Sequence, residues 1–520
     1  MAHGERCSYS FAIPDTQAQA QSHMDQRVES GAPSAPLTHA DIRSIMIGIM
    51  LAMFLAALDQ TIVATAMPTI GRELHDLAHL PWVVTSYLLA STAVTPLYGK
   101  LADIHGRRRV LLAAIIVFIL GSIACALAPT LISLIVARFV QGLGGGGLIA
   151  LAQTIIGDMV PPRERGKYQV YFASVFFTSS LLGPVLGGVI AEQLHWSVIF
   201  WINLPLGLAA YAMTSSRLKR LPRHERPHKL DIAGALLMTA ATMTLLLALS
   251  WGGTAYPWLS PPIAALVGAS LLLWAGFAWR VTHAEEPVIP LDVLANPVVR
   301  MGTLSAGFGM GTFIGLSIYL PLYFETIVGL SASHSGLGLL PLTCGTLFGA
   351  TGSGRALAHL THYKRIPMAG LVIALVGMGV IAATVGRMPL VPFCILLAVV
   401  SIGFGTLLPV ATVSIQNAVQ PHQLGTATGV ANFFRQIGGA LIVAVFGAIV
   451  LGGIGASGAG LSHEALEVGG VDRETMVGVF RYVFAAATLG FIFSLICLAR
   501  MRELPLRTGS AAAAREAAAE

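Results

Sequence analysis

The feature that most constrains this 520-residue chain is a succession of unbroken apolar stretches, each long enough to cross a bilayer. Hydrocarbon about 30 Å thick is spanned by about 20 apolar residues in a helix, and in lipid a backbone must satisfy its own hydrogen bonds. Apolar runs, read with their Pro, Gly and charge punctuation, predict about 14 spans: residues 44–66, 81–101, 110–128, 131–152, 168–191, 198–215, 231–250, 261–280, 300–322, 334–357, 366–386, 390–415, 424–450 and 476–499. With 55% of residues hydrophobic and 11% charged, against roughly a quarter charged in a soluble domain, the chain cannot cover itself in water. The expected class is an all-α membrane protein.

Residues 1–43, rich in Gln, Ser, Ala and Pro, are expected to form a disordered tail. No cleavable signal peptide is expected, and span 1 serves as its own insertion signal. An even span count puts both termini on one side, and Lys and Arg decide which. They gather in alternate loops: Arg107, Arg108 and Arg109; Arg163, Arg165 and Lys167; Arg217 to Lys229; Lys364 and Arg365. That side is expected to be cytoplasmic. The opposite loops hold Arg72, Arg387 and Arg473 and an acidic segment with Glu464, Glu467, Asp472 and Glu474. The net charge of +6 is therefore an orientation signal toward anionic headgroups and does not argue for nucleic acid.

Short sequence echoes suggest a duplication. Gln141-Gly142-Leu143-Gly144 in span 4 matches Ile402-Gly403-Phe404-Gly405 in span 12, and Gly187-Gly188 matches Gly438-Gly439. The expected layout is a six-helix bundle over 44–215, a basic linker at 216–230 and two inserted helices over 231–280. A loop at 281–299, a second six-helix bundle over 300–499 and a tail at 500–520 complete it.

Charges inside spans are expensive and mark candidate sites. Of the acidic residues only Asp59 lies well inside a span, and its candidate partner is Arg138. Each sits about seven residues from the outer end of its span, which at 1.5 Å per residue is on the order of 10 Å deep. Moving Arg138 away would change whether Asp59 holds a proton, a means of coupling protons to cargo; the bland alternative is an ion pair that only ties two helices. Arg435 in span 13 has no deep acidic partner, and packing and cavity roles both remain open. Gly99 and Asp103, four residues apart in the loop after span 2, suit a close helix approach and a contact with another helix's positive N-terminus. In span 5, Pro184 bends the helix while Gly183, Gly187 and Gly188 offer a smooth packing face.

These segments resemble motifs of the major facilitator superfamily. Gly99 to Arg109 is similar to its GxLaDrxGrkxxl motif, Arg138-Phe139-Val140-Gln141-Gly142 to RxxqG, and Gly183-Pro184-Val185-Leu186-Gly187-Gly188 to the GPxxGG antiporter motif. Leu58-Asp59-Gln60-Thr61-Ile62-Val63 with Met67-Pro68 resembles the span 1 motif of the 14-span drug:proton antiporters of EmrB/QacA type. The resemblance runs from about Ser44 to Ala499 and implies two six-helix bundles rocking about a central cavity, with export driven by proton uptake. It implies proton coupling at Asp59 and Arg138, and a cytoplasmic brace at Gly99, Asp103, Gly106 and Arg107. Departures are Ser179 for a leading glycine, Ala64-Thr65 for Asn-Val, and Glu325 at a position often Gln, which suggests a second protonatable group.

The leading expectation is proton-coupled export of small amphipathic compounds, a multidrug efflux activity, from a monomer in the bacterial inner membrane. A proton-coupled carrier of a specific sugar, siderophore or amino acid is the alternative on the same fold. One deep acid favours neutral or singly cationic cargo over dications. The partners expected are the cargo, protons and lipid, and a periplasmic adaptor protein is compatible with the resemblance. An enzyme or sensor would need clustered ligands or nucleophiles, whereas His195, His334 and His359 are scattered and the five cysteines lack metal or disulfide spacing. GxSxG, HExxH and Walker sequences are absent. No catalytic residue, metal or cofactor is expected, and the proton gradient is the energy source.

Overall fold

A computed structural model describes residues 39–76, 79–218, 230–456 and 473–507. Most of the expected N-terminal tail, the linker residues 219–229, the acidic segment up to 472 and the end of the C-terminal tail lie outside these residues. Within them the chain forms long helices: α1 (His39–Glu73), α2 (Trp82–His105), α3 (Arg107–Ala126), α4 (Leu131–Met159), α5 (Pro162–Gln193), α6 (Val198–Ser216) and α7 (Ile232–Trp251). Then follow α8 (Pro261–His283), α9 (Pro297–Tyr323), α10 (Leu340–Ala356), α11 (Arg365–Ala383), α12 (Leu390–Asn417), α13 (Leu424–Ala456) and α14 (Arg473–Arg500).

Each expected span has its helix, and among the described residues 12 helices are long and apolar enough to cross a membrane. The two outside that set have physical reasons. Helix α10 has 17 residues, because the expected start of span 10 is a separate short helix, Ala332–Leu337. Helix α2 carries Ser86, Ser91, Thr92 and Thr95, all buried, which lower its apolar character, and packs against α4, α7 and α13.

The expected loop after span 2 is corrected by the structure. Gly99 and Asp103 lie on the last turns of α2, Arg107 opens α3, and Gly106 alone joins the two helices at φ +85°. A side chain rarely adopts that backbone, so glycine is what permits so short a junction.

The duplication is visible as packing. Helices α1 to α6 pack as the pairs α2 with α4, α3 with α4, α1 with α5, α1 with α6 and α3 with α6. Adding eight to every label gives α10 with α12, α11 with α12, α9 with α13, α9 with α14 and α11 with α14, and each of those pairs also forms. The first half is cored by Ile49, Leu55, Phe118 and Leu148. The second is cored by Tyr323, stacked on Phe393 at 5.0 Å and edge-on to Phe480 and Phe484, an arrangement that adds to simple area burial. Helix α7 lies between α2 and α13, and α8 brings Trp274 against Phe433 of α13. An Arg280–Asp231 ion pair at 3.0 Å ties α7 to α8.

The chain after α14 is held, not free, through residue 507. Tyr363 donates to the Leu504 carbonyl at 2.8 Å and Asn417 to that of Pro505 at 3.0 Å.

Candidate functional site

Two turns into α4, behind a Thr130–Ser133 capping box, Arg138 meets Asp59 of α1. Its Nη1 donates to Asp59 Oδ2 at 2.5 Å, and both side chains are sealed, at 0% and 1% exposure. The other carboxylate oxygen, Oδ1, accepts from Gln141 Nε2 and Asn203 Nδ2, each at 2.8 Å. Arg138 also donates to Gln141 Oε1 at 2.6 Å and to the Val83 carbonyl at 3.1 Å, with its guanidinium 4.3 Å from the centre of the Tyr87 ring. Ser122 of α3 accepts from Gln141 and Asn203. Five helices thus converge on one carboxylate. An ion pair so buried is strongly destabilised when one partner is lost, by about 3–5 kcal/mol, and here hydrogen bonds supply the compensation that burial demands.

The sequence pairing of Asp59 with Arg138 is met, and the additional donors are Gln141 and Asn203. Asn203 was readable as an amide inside the apolar run of span 6, but its direction depends on how α6 packs. Next to this sealed pair, Gln60 is exposed, so the chain alternates within one residue between a closed polar core and an open surface.

A second cluster lies at the end where the basic loops gather. Asp103 accepts from the backbone N–H groups of Gly425 and Thr426, at 3.1 and 2.8 Å, and from the Thr426 hydroxyl at 2.7 Å. This is the N-terminus of α13, in the other half, where unpaired N–H groups favour a carboxylate. Arg107 holds Asp103 and Asp158 at 2.7 Å each. Gly99 crosses Gly425 so closely that a Cβ on either would overlap the other's carbonyl. The four residues expected to act together here are together.

The sequence missed the counterpart. Gly354 of α10, eight helices' labels on from α2, crosses Gly166 of α5 with the same mutual backbone contact. Arg163 donates to the Ala358 carbonyl at 3.0 Å, the position four residues past Gly354 as Asp103 is four past Gly99. Further links between the halves run from Asn432 to Gln153 at 2.8 Å, from Gln416 to the Gln153 carbonyl at 3.3 Å and from Thr92 to Gln436 at 2.8 Å.

On α5, Gly183 and Gly187 face α1, where an added Cβ would strike Thr61 and Thr65. Gly188 faces open space and Pro184 is exposed. Thr61 donates to the Ser179 carbonyl at 3.0 Å, so the smooth face of α5 rests on the stretch of α1 directly after Asp59. Glu325 does not join the Asp59 cluster. It is exposed on the π-turn Phe324–Val328 that ends α9. Arg435 is also separate: partly exposed on α13, it donates to Asn432 and lines a small cavity with Gln153, Gln416 and Thr428.

Comparison with known proteins agrees with this architecture. The family model described as Major Facilitator Superfamily matches residues 49–443. An uncharacterised MFS-type transporter of Mycobacterium tuberculosis is 31% identical over 503 residues, covering 92% of this chain and 72% of that protein. The multidrug transporter protein MdtP of Bacillus subtilis is 33% identical over 409 residues, 78% of this chain and 75% of its own length. The crystal structure of a human organic anion transporter superposes with a TM-score of 0.60 at 16% identity, over 87% of this chain and 99% of that one, a likeness of fold. The chain is a multi-pass membrane transporter, not an enzyme, and belongs to the Major Facilitator Superfamily.

Proposed function

We propose that this transporter exports small amphipathic compounds in exchange for protons, by alternating access, in a cell membrane with its basic end cytoplasmic. In this reading all fourteen helices cross the bilayer, in the manner of the EmrB/QacA type, and the monomer is the working unit. The observation that carries it is the sealed Asp59–Arg138 pair, the one deep carboxylate in the first bundle, at the contact of α1 with α4. An ionisable group kept inside a membrane is by default functional, and this one has both oxygens occupied. A proton can replace those donors only when α1, α4 and α6 shift relative to each other. Rocking of the bundles supplies such a shift, and the α5 glycine face against Thr61 and Thr65 lies next to it on α1.

Two Gly–Gly crossings, with Asp103 on the start of α13, close the basic end. With that end cytoplasmic, this conformation is shut toward the cytoplasm. The name of the Bacillus relative, a multidrug transporter at 33% identity, supports amphipathic cargo. The test is uptake of fluorescent amphipathic dyes into inverted vesicles under an imposed pH gradient, for wild type and Asp59→Asn. Wild type is expected to follow the gradient and Asp59→Asn to lose that dependence while remaining folded. Gradient-insensitive transport by wild type, or full coupling in Asp59→Asn, overturns the reading.

A further inference from the structure

We infer that Arg435 is the anchor of a cargo site for an oxyanion, so that the exported compounds are amphipaths carrying a carboxylate or a comparable acidic group. The inference deepens the export reading and rests on it. Three ionisable side chains lie deep in α1, α4 and α13, and they are not equivalent. Asp59 and Arg138 saturate each other and are sealed from any cavity, so their charges cancel where cargo could pass. Arg435 is partly exposed. Its hydrogen-bond partner is the side-chain carbonyl of Asn432, one turn away on the same helix, and among the described residues no carboxylate pairs with it.

The surroundings of Arg435 are neutral and largely apolar, with Ala306, Ala411, Ile415 and Ala431 beside a few uncharged polar side chains. The cavity it lines is bounded by Gln153 of α4, Thr412 and Gln416 of α12 and Thr428 of α13, with no acidic side chain among them. A guanidinium held in low-dielectric surroundings without a counter-charge is costly. Its planar fork of donors pairs best with a carboxylate or similar oxyanion. The missing partner is therefore supplied from outside the chain.

The position suits cargo loading. Gln153, from the first half, holds Asn432 at 2.8 Å and Gln416 at 3.3 Å, both from the second half. In this cytoplasm-closed conformation the cavity is about 10 Å³, room for roughly one water. When the Gly99–Gly425 and Gly166–Gly354 crossings separate, Gln153 leaves with the first half, and Arg435 becomes accessible from the cytoplasm. The charge preference drawn from Asp59 in the sequence is thereby reversed: the sealed acid does not face cargo, and the open charge is positive.

The probes are three amphipaths with one fluorescent body: 1-pyrenebutyrate, 1-pyrenebutanol and 1-pyrenebutylamine. Binding to purified protein is read by energy transfer from tryptophan, for wild type, Arg435→Gln and Arg435→Lys. Wild type is expected to prefer the butyrate. Arg435→Gln should weaken the butyrate by about ten- to hundredfold, the range open to a charge-assisted hydrogen bond, and leave the butanol unchanged. Arg435→Lys should retain most of the preference. The site is refuted by an unchanged butyrate affinity in Arg435→Gln, or by an equal loss for butyrate and butanol. If Arg435→Gln fails to fold, wild type alone decides, because a preference for the amine over the butyrate refutes the site. Gradient-driven transport separates the two readings. Butyrate binding that depends on Arg435, with transport indifferent to the gradient and to Asp59→Asn, removes proton exchange and keeps the site. Gradient-driven transport of butanol and amine with no effect of Arg435→Gln removes the site and keeps export.

Discussion

At Asp59 the carboxylate accepts from three side chains on two other helices, and this fixes what substitutions there do. Arg138→Ala leaves a buried, uncompensated charge and is expected to cost about 3–5 kcal/mol, read as a lower melting temperature in detergent. Adding Asp59→Asn removes that charge at constant shape, so the double variant should recover much of the loss. A double variant as unstable as the sum of the singles would show that the pair does not act as a unit. The partnership itself was legible from sequence, because depth along two antiparallel spans follows from residue counts alone. Gln141 and Asn203 were not, since a count gives depth but not the azimuth at which a helix faces its neighbours.

Among elements, the crossings of α2 with α13 and α5 with α10 act as a matched pair. Gly99→Val and Gly354→Val each force a side chain into a carbonyl of the opposing helix, and overpacked contacts relieve themselves by moving backbones apart. Both variants are expected to open the basic end. With the native cysteines replaced, a cysteine pair at 163 and 358, where the extended Arg163 side chain reaches the Ala358 carbonyl, should be joined by a short bifunctional thiol reagent that spans the length of that side chain. The cross-link should be lost with Gly354→Val; unchanged cross-linking would mean that this crossing does not govern closure. Gly106→Ala is a different kind of change, with no neighbour within 4 Å of an added Cβ and a backbone at φ +85°. Its expected cost is about 1–3 kcal/mol of backbone strain, measurable by thermal melting. The motif around Gly99 was visible in sequence, whereas Gly166 and Gly354 were not, because the cations beside Gly166 read as a positive-inside loop and Ala358 stands four residues past Gly354 where Asp103 stands four past Gly99. Only the eightfold shift of helix pairing reveals their equivalence.

For the whole molecule, the inserted pair α7 and α8 gives the sharpest test of topology. Leu259, fully exposed in the turn between them, and Leu291, half exposed after α8, lie at opposite ends of α8. Single cysteines at these positions, in a background without native cysteines, should react with an impermeant maleimide from opposite sides of the membrane. Leu259→Cys should label in intact cells and Leu291→Cys only after permeabilisation; labelling of both from one side would remove α7 and α8 as crossing helices. The sequence by itself determined the class of solvent, the order of the apolar helices and the depth of the charged pair, because hydrocarbon thickness and the cost of buried charge act on each helix separately. Which faces meet was decided by the tertiary structure alone. Packing sets the rotation of every helix against its neighbours, and that rotation seals Asp59, pairs two glycine crossings across the halves and leaves Arg435 as the charge that faces the cavity.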